Sequence, residues 1–242
     1  MNDPRQLYRK EAVEDLIHDG PVIRQVHPLW VRWAHWVNFP LILLMMVSGV
    51  MIYWANDVYT PFISPKFYSF FGLDHELALG LGMHFTFMWL FTINGILYFA
   101  YLAVSGEWRE LVPNSTDFAQ SLAVLKSEFG LGPAPVSTRK FNAAQRMTYF
   151  FILLMGAFAT FTGLAIYKPV QLGWLRAIFW SYSFARLLHF LLAAGFLIFF
   201  VTHVTQVVRA GWSKFWAMVI GVETVAPIRI EKKKTIEKDK IK

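Results

Sequence analysis

The chain has 242 residues, 56% of them hydrophobic and 17% aromatic, and only 16% are charged, well under the quarter usual in soluble domains. Its mean hydropathy is positive, and the lack of cysteine excludes disulfides, thiolate-ligated iron–sulfur clusters and covalent c-type haem attachment. The formal charge of +7 therefore belongs to a membrane protein, where it meets anionic lipid, and no nucleic-acid partner is expected.

Residues 1–32 read as a mixed-charge cytoplasmic arm without an apolar h-region, so the first span is expected to act as an uncleaved anchor. Trp33–Trp54, Leu77–Val104, Thr148–Tyr167 and Leu187–Val208 lack Asp, Glu, Lys and Arg. Each meets the about 20 apolar residues that a spanning helix needs, and the second is long enough to tilt. "NDVYTPFISPKF" (56–67), with two prolines, reads as an outer loop. In the 105–146 connection, Phe118, Leu122, Leu125 and Phe129 recur at helical spacing after capping residues Asn114 to Thr116, and "GLGPAP" follows. This predicts a short amphipathic helix on the cytoplasmic face. Residues 223–242 form a basic cytoplasmic tail, and its end, "EKKKTIEKDKIK" (231–242), is too polar to bury anything and reads as disordered.

Lysine and arginine set the orientation. Arg5, Arg9, Lys10, Arg24 and Arg32 precede the first span. The middle connection holds Arg109, Lys126, Arg139, Lys140 and Arg146, and nine more lie from Arg209 to Lys242. The other two connections hold Lys66, then Lys168, Arg176 and Arg186. The expectation is an all-α fold: an integral four-helix bundle over 33–222, both termini and the 105–146 loop cytoplasmic, in a bacterial inner membrane.

Three of the four spans carry histidine in apolar sequence. His189 and His203 are fourteen positions apart, close to four turns, so they share one helix face about 21 Å apart along the axis. His35 begins the first span near the cytoplasmic side. His84 lies early in the second span, near the outer side. The levels pair His35 with His203 and His84 with His189. An ionisable residue inside a membrane is costly and points to function, although interhelical hydrogen bonding is the plain alternative. Two imidazoles facing each other in a bundle suit a bis-histidine haem iron, and two such levels suit electron transfer across the membrane. Zinc prefers more ligands than two per level, and a proton relay usually includes carboxylates.

Small residues can make room for such a group. Gly49 lies fourteen after His35 and so shares its face at the outer level. Ala193, Ala194 and Gly195 lie between His189 and His203, and Gly156 and Gly163 lie in the third span. Close helix packing is the other use for these residues. His75 is nine before His84 and half a turn out of phase, so both cannot face one partner; His84, inside the apolar run, is preferred. His18 reads as solvated. His27, before Pro28, reads as structural, with a place near a quinone as its alternative.

"VHPLWVRWAHWVNFPLILLMMVSG" resembles the first span of bacterial di-haem cytochrome b subunits: formate dehydrogenase gamma, the cytochrome b of nickel–iron hydrogenase, and the thiosulfate-reductase type, all cytochrome b561-like. "FNAAQRMTYFFILLMGAFATFTGLAIYKP" and "RLLHFLLAAGFLIFFVTHVTQVVRAGWSKFWAMVIG" are similar to the third and fourth spans of the formate dehydrogenase subunit. The second span, "GMHFTFMWLFTINGILYFAYLAVSGEWR", is closest to the thiosulfate-reductase type, which accompanies molybdopterin oxidoreductases. The resemblance implies two b haems, one on His35 and His203 and one on His84 and His189. It implies a quinone site at the cytoplasmic side, where Asn142, Ala143, Ala144 and Gln145 match an Asn-Ala-Gly-Gln stretch; the glycine is Ala144 here. It also implies an extracytoplasmic redox subunit with an iron–sulfur, nickel–iron or molybdenum centre.

On this reading the chain is an electron-transfer subunit joining the quinone pool to that partner rather than a stand-alone catalyst. Arg32 is placed to meet haem propionates inside, and Lys168 and Arg186 outside; snorkelling anchors are the plain alternative. The competing reading is a non-redox transporter or assembly factor with structural histidines. A third is a self-contained reductase. A nicotinamide-binding glycine loop is not found.

Overall fold

The computed structural model describes residues 22–55, 65–72, 76–133, 135 and 140–225. His18, His75, Arg139, most of the expected outer loop and the tail beyond residue 225 lie outside the described residues.

Residues 29–209 form one unit. Its long helices are α1 (Leu29–Trp54), α3 (Leu77–Ser105), α6 (Ala143–Tyr167) and α8 (Tyr182–Ala210), and all four are long and apolar enough to cross a membrane. Short helices lie between them: α2 (Pro65–Phe70), α4 (Trp108–Leu111), α5 (Asp117–Glu128) and α7 (Gly173–Ile178). Even the shortest long helix, with 25 residues, reaches about 38 Å at 1.5 Å per residue and exceeds a hydrocarbon core of about 30 Å. The additional turns carry Arg32, Arg146, Arg186 and Arg209, so three helices extend past the charge-free stretches into the interfacial layer.

Helix ends follow local chemistry. Gly106 at φ 74° closes α3 in a left-handed cap, returning its N–H to the Leu102 carbonyl. Asn142 and Gln145 open α6 with a reciprocal capping box. At the start of α8, Trp180 stands at φ 58° and the Ser181 hydroxyl accepts the Phe184 N–H at 3.1 Å.

Packing fixes an up-down-up-down bundle. The α1–α3 contact is antiparallel: Asn94 Nδ2 donates to Asn38 Oδ1 at 2.8 Å and to the Ala34 carbonyl at 3.1 Å, and Gly80 lies where a Cβ would stand 2.9 Å from Met51 Cβ. α1 also runs antiparallel to α8, with Phe39 stacked on Phe200 and Tyr53 on Phe190. Gly195 of α8 faces the Met155 methyl of α6, so it serves close packing there rather than cofactor space. Ala165, Leu175, Phe179 and Ala185 form a buried cluster joining α6, α7 and α8.

α5 confirms the expected amphipathic helix, and its polar side is the buried one. Asp117 and Ser121 face inward, while Phe118, Leu122, Leu125 and Phe129 are exposed. Asp117 and Arg146 form a buried two-pronged ion pair: Arg146 Nε donates to Oδ2 at 2.9 Å and Nη2 to Oδ1. Arg146 Nη1 also donates to the Phe141 carbonyl at 2.6 Å, and Asn114 N–H to Asp117 Oδ2 at 2.7 Å.

The flanking residues form a second unit. There β1 (Val22–Gln25) pairs antiparallel with β2 (Val222–Val225), from Val22↔Val225 to Gln25↔Val222. α9 (Trp212–Ile220) precedes β2 and ends on Gly221 at φ 88°. The Gly221 carbonyl accepts the N–H groups of Val26 and His27, and Lys214 Nζ lies 2.5 Å from Glu223 Oε1. The arm and the start of the tail thus carry a two-stranded ribbon at 22–25 and 222–225. The ribbon escapes sequence reading because its strands lie about two hundred residues apart, with no hairpin turn to mark them.

Candidate functional site

Four histidines meet as two pairs. His35 of α1 and His203 of α8 have ring centroids 6.0 Å apart at 59°. His84 of α3 and His189 of α8 lie 6.2 Å apart at 76°. Two metal–imidazole bonds of about 2 Å and two ring radii of roughly 1 Å would separate ring centres by about 6 Å. Both pairs have the spacing that a shared iron requires. Among the described residues no group of three or more His, Cys, Asp or Glu could hold a metal, and each level brings two imidazoles together.

The surroundings of the two pairs differ. At the first, Trp36 meets His35 edge-on with centroids 5.1 Å apart, and Phe199 stacks on His203 at 5.5 Å and 11°. At the second, the Ser48 hydroxyl lies 3.0 Å from His84 Nδ1, and the Thr162 hydroxyl 2.9 Å from His189 Nδ1. Both hydroxyl residues are fully buried. Ser48 Oγ donates to the Leu44 carbonyl at 2.7 Å, and Thr162 Oγ1 donates to the Phe158 carbonyl at 2.7 Å. The next residue in each case is glycine. A Cβ on Gly49 would stand 3.5 Å from His84 Cε1, and one on Gly163 would stand 3.2 Å from His189 Cε1. Gly49 and Gly163 were singled out in the sequence. Ser48, Thr162, Asn38 and Asn94 were not, although polar residues inside apolar runs carry that signal.

The expected cations lie near these levels along the chain. Arg32 is one turn before His35, and Arg186 one turn before His189, its guanidinium 5.8 Å from the Tyr182 ring centroid. Lys168 caps α6 with its ammonium 4.6 Å above the Tyr167 ring. Asn142 Oδ1 accepts the Gln145 N–H at 2.9 Å, and Gln145 Oε1 accepts the Asn142 N–H at 3.0 Å. Their amide oxygens therefore hold the start of α6, and the amide NH2 groups remain as donors. His27 belongs to the second unit, just past β1, with its N–H on the Gly221 carbonyl at 3.3 Å.

A family model described as prokaryotic cytochrome b561 matches residues 26–221. The chain belongs to the prokaryotic cytochrome b561 family. It is also 32% identical over 188 residues to YedZ1 of Azospira oryzae, provisionally named a protein-methionine-sulfoxide reductase subunit. The match covers 76% of this chain and 91% of that protein. This cytochrome b561 is a multi-pass bacterial membrane protein of a haem-b, electron-transfer family.

Proposed function

We propose that this cytochrome b561 holds two b haems and passes electrons between membrane quinone and an oxidoreductase subunit outside the cytoplasm. The observation that carries the reading is the meeting of both ends of one histidine pair on α8, His189 and His203, with a histidine from another helix at a separation of about 6 Å. His35 and His203 would hold the haem near the cytoplasm, and His84 and His189 the one near the outer face. The orientation rests on the lysine and arginine bias, which favours cytoplasmic termini.

A bound haem supplies a one-electron carrier whose potential the protein sets. The chain's own residues do the rest. Facing imidazoles fix the position of each centre. Buried Leu41 and Phe196, which lie between the two levels by sequence position, keep the span dry. Arg32 at one level, and Lys168 and Arg186 at the other, place positive charge for propionates.

For quinone, the Asn142 and Gln145 amide donors at the start of α6 would hold a ring carbonyl. An apolar recess of about 400 Å³ lined by Phe99, Leu102, Trp108, Leu111 and Phe150 suits a prenyl tail. The name of the Azospira relative favours an oxidoreductase partner, with a methionine-sulfoxide reductase among those to test. Family membership favours electron transfer over the transporter and assembly-factor readings.

The test is haem content and the reduced-minus-oxidised spectrum of single variants. His203→Ala should lose one b-type component and His189→Ala the other. Retention of both components in either variant would contradict the pairing.

A further inference from the structure

The structure assigns a positioning role to two hydroxyl–glycine pairs, Ser48–Gly49 on α1 and Thr162–Gly163 on α6: they fix the tautomer and seat of His84 and His189 and lower the midpoint potential of the centre those histidines hold. This rests on the reading that the His84–His189 pair binds a haem.

Each hydroxyl has one proton, and each donates it within its own helix, to Leu44 or Phe158. The oxygen's lone pairs then face the imidazole Nδ1 at 3.0 and 2.9 Å. An oxygen so committed accepts, so Nδ1 carries the ring proton. Nε2 is left with the lone pair that a metal needs. A hydrogen bond from the far side of a ligating imidazole also raises its basicity, which favours the oxidised metal.

Glycine adds to the device at one of the two. The Cβ-free backbone of Gly163 lets Cε1 of His189 approach to where a Cβ would be 3.2 Å away, tighter than ordinary contact, whereas a Cβ on Gly49 would meet His84 Cε1 at an ordinary 3.5 Å. Ring and hydroxyl are thus held by adjacent residues of one helix, so the ring cannot rotate without losing the bond.

The arrangement occurs twice, on different helices, with nearly the same geometry. Each hydroxyl also sits 3.2 Å from the carbonyl three residues back, Met45 or Ala159. α1 and α6 present these pairs to a histidine couple carried by α3 and α8. A single serine–histidine bond would be ordinary helix packing. Two matched ones on the two members of one couple fit a shared purpose. The His35–His203 pair is bracketed by Trp36 and Phe199 rings instead, so the two levels are built differently.

The experiment is a redox titration with low-spin EPR of the purified full chain. It compares the unmodified protein with Ser48→Ala, Thr162→Val, their combination, and the swaps Ser48→Thr and Thr162→Ser. His189→Ala identifies which component belongs to this level. The expected result is a higher midpoint potential and a shifted EPR signal for that component in each hydroxyl deletion. The double variant should shift further, the swaps should return toward the unmodified values, and the other component should stay put. Loss of haem from this level in the deletions but not in the swaps would also support the role. Unchanged potential and signal in both deletions at full haem content would overturn it, as would equal haem loss in deletions and swaps. If the unmodified chain binds no haem at this level, the underlying reading falls as well. Haem that is present but indifferent to the hydroxyls removes only this inference.

Discussion

At Gly163 and Gly49 the same residue type has different room for change. A methyl added at Gly163 would stand 3.2 Å from His189 Cε1, closer than ordinary van der Waals contact, whereas at Gly49 the distance to His84 is 3.5 Å. Gly163→Ala should therefore disturb the spectrum of the His84–His189 centre, and Gly49→Ala should leave it nearly unchanged. Optical and EPR spectra of the two variants check this ordering; an undisturbed Gly163→Ala would show that the His189 ring does not rest on that glycine. Both glycines were legible as candidates from their place in apolar spans. Their hydroxyl neighbours were not, because Ser48 and Thr162 can satisfy themselves on their own helix carbonyls and look unremarkable in a sequence. Only the approach of a histidine from another helix gives them a partner outside their own helix.

At the scale of elements, α5 shows what periodicity reveals and what it hides. The apolar stripe of Phe118, Leu122, Leu125 and Phe129 was readable, and the helix forms over Asp117–Glu128. The partner of its opposite side was not readable, because Asp117 and Arg146 are 29 residues apart and any of several carboxylates could have served. Arg146 read as one more contributor to the positive bias, yet it is buried against Asp117 with its donors engaged. Breaking one side of such a pair leaves a buried charge and costs about 3–5 kcal/mol. Asp117→Asn or Arg146→Met should therefore lower the thermal unfolding midpoint of the detergent-purified chain. Paired apolar replacement of both should recover part of the loss. An unchanged midpoint in the single variants would mean that α5 is not anchored through this pair. The same element scale explains Asn142 and Gln145. Resemblance marked them for quinone, and their oxygens also form a helix cap. A change at either would weaken α6 along with any ligand contact, so Asn142→Ser, which preserves a cap, separates the two effects better than alanine.

At the scale of the molecule, the charge-free stretches located all four spans, because a bilayer demands long uninterrupted apolar runs. The fourteen-residue interval on α8 fixed the two levels, because helix geometry converts sequence distance directly into height and phase. The His84 ring is brought against His189. What stayed hidden was non-local: the β1–β2 ribbon, the Asn38–Asn94 bond and the buried ion pair. Those depend on which chain segments meet, and apolar patterning leaves that undetermined. The central claim is that each histidine pair binds one haem, giving two carriers on one chain. The most direct test is haem quantified per polypeptide in the purified full-length protein from haem-sufficient cells, read with its reduced-minus-oxidised spectrum. The account predicts a b-type spectrum with two haems per chain. A single haem would contradict one of the two pairs, and a folded, colourless protein would contradict the account as a whole.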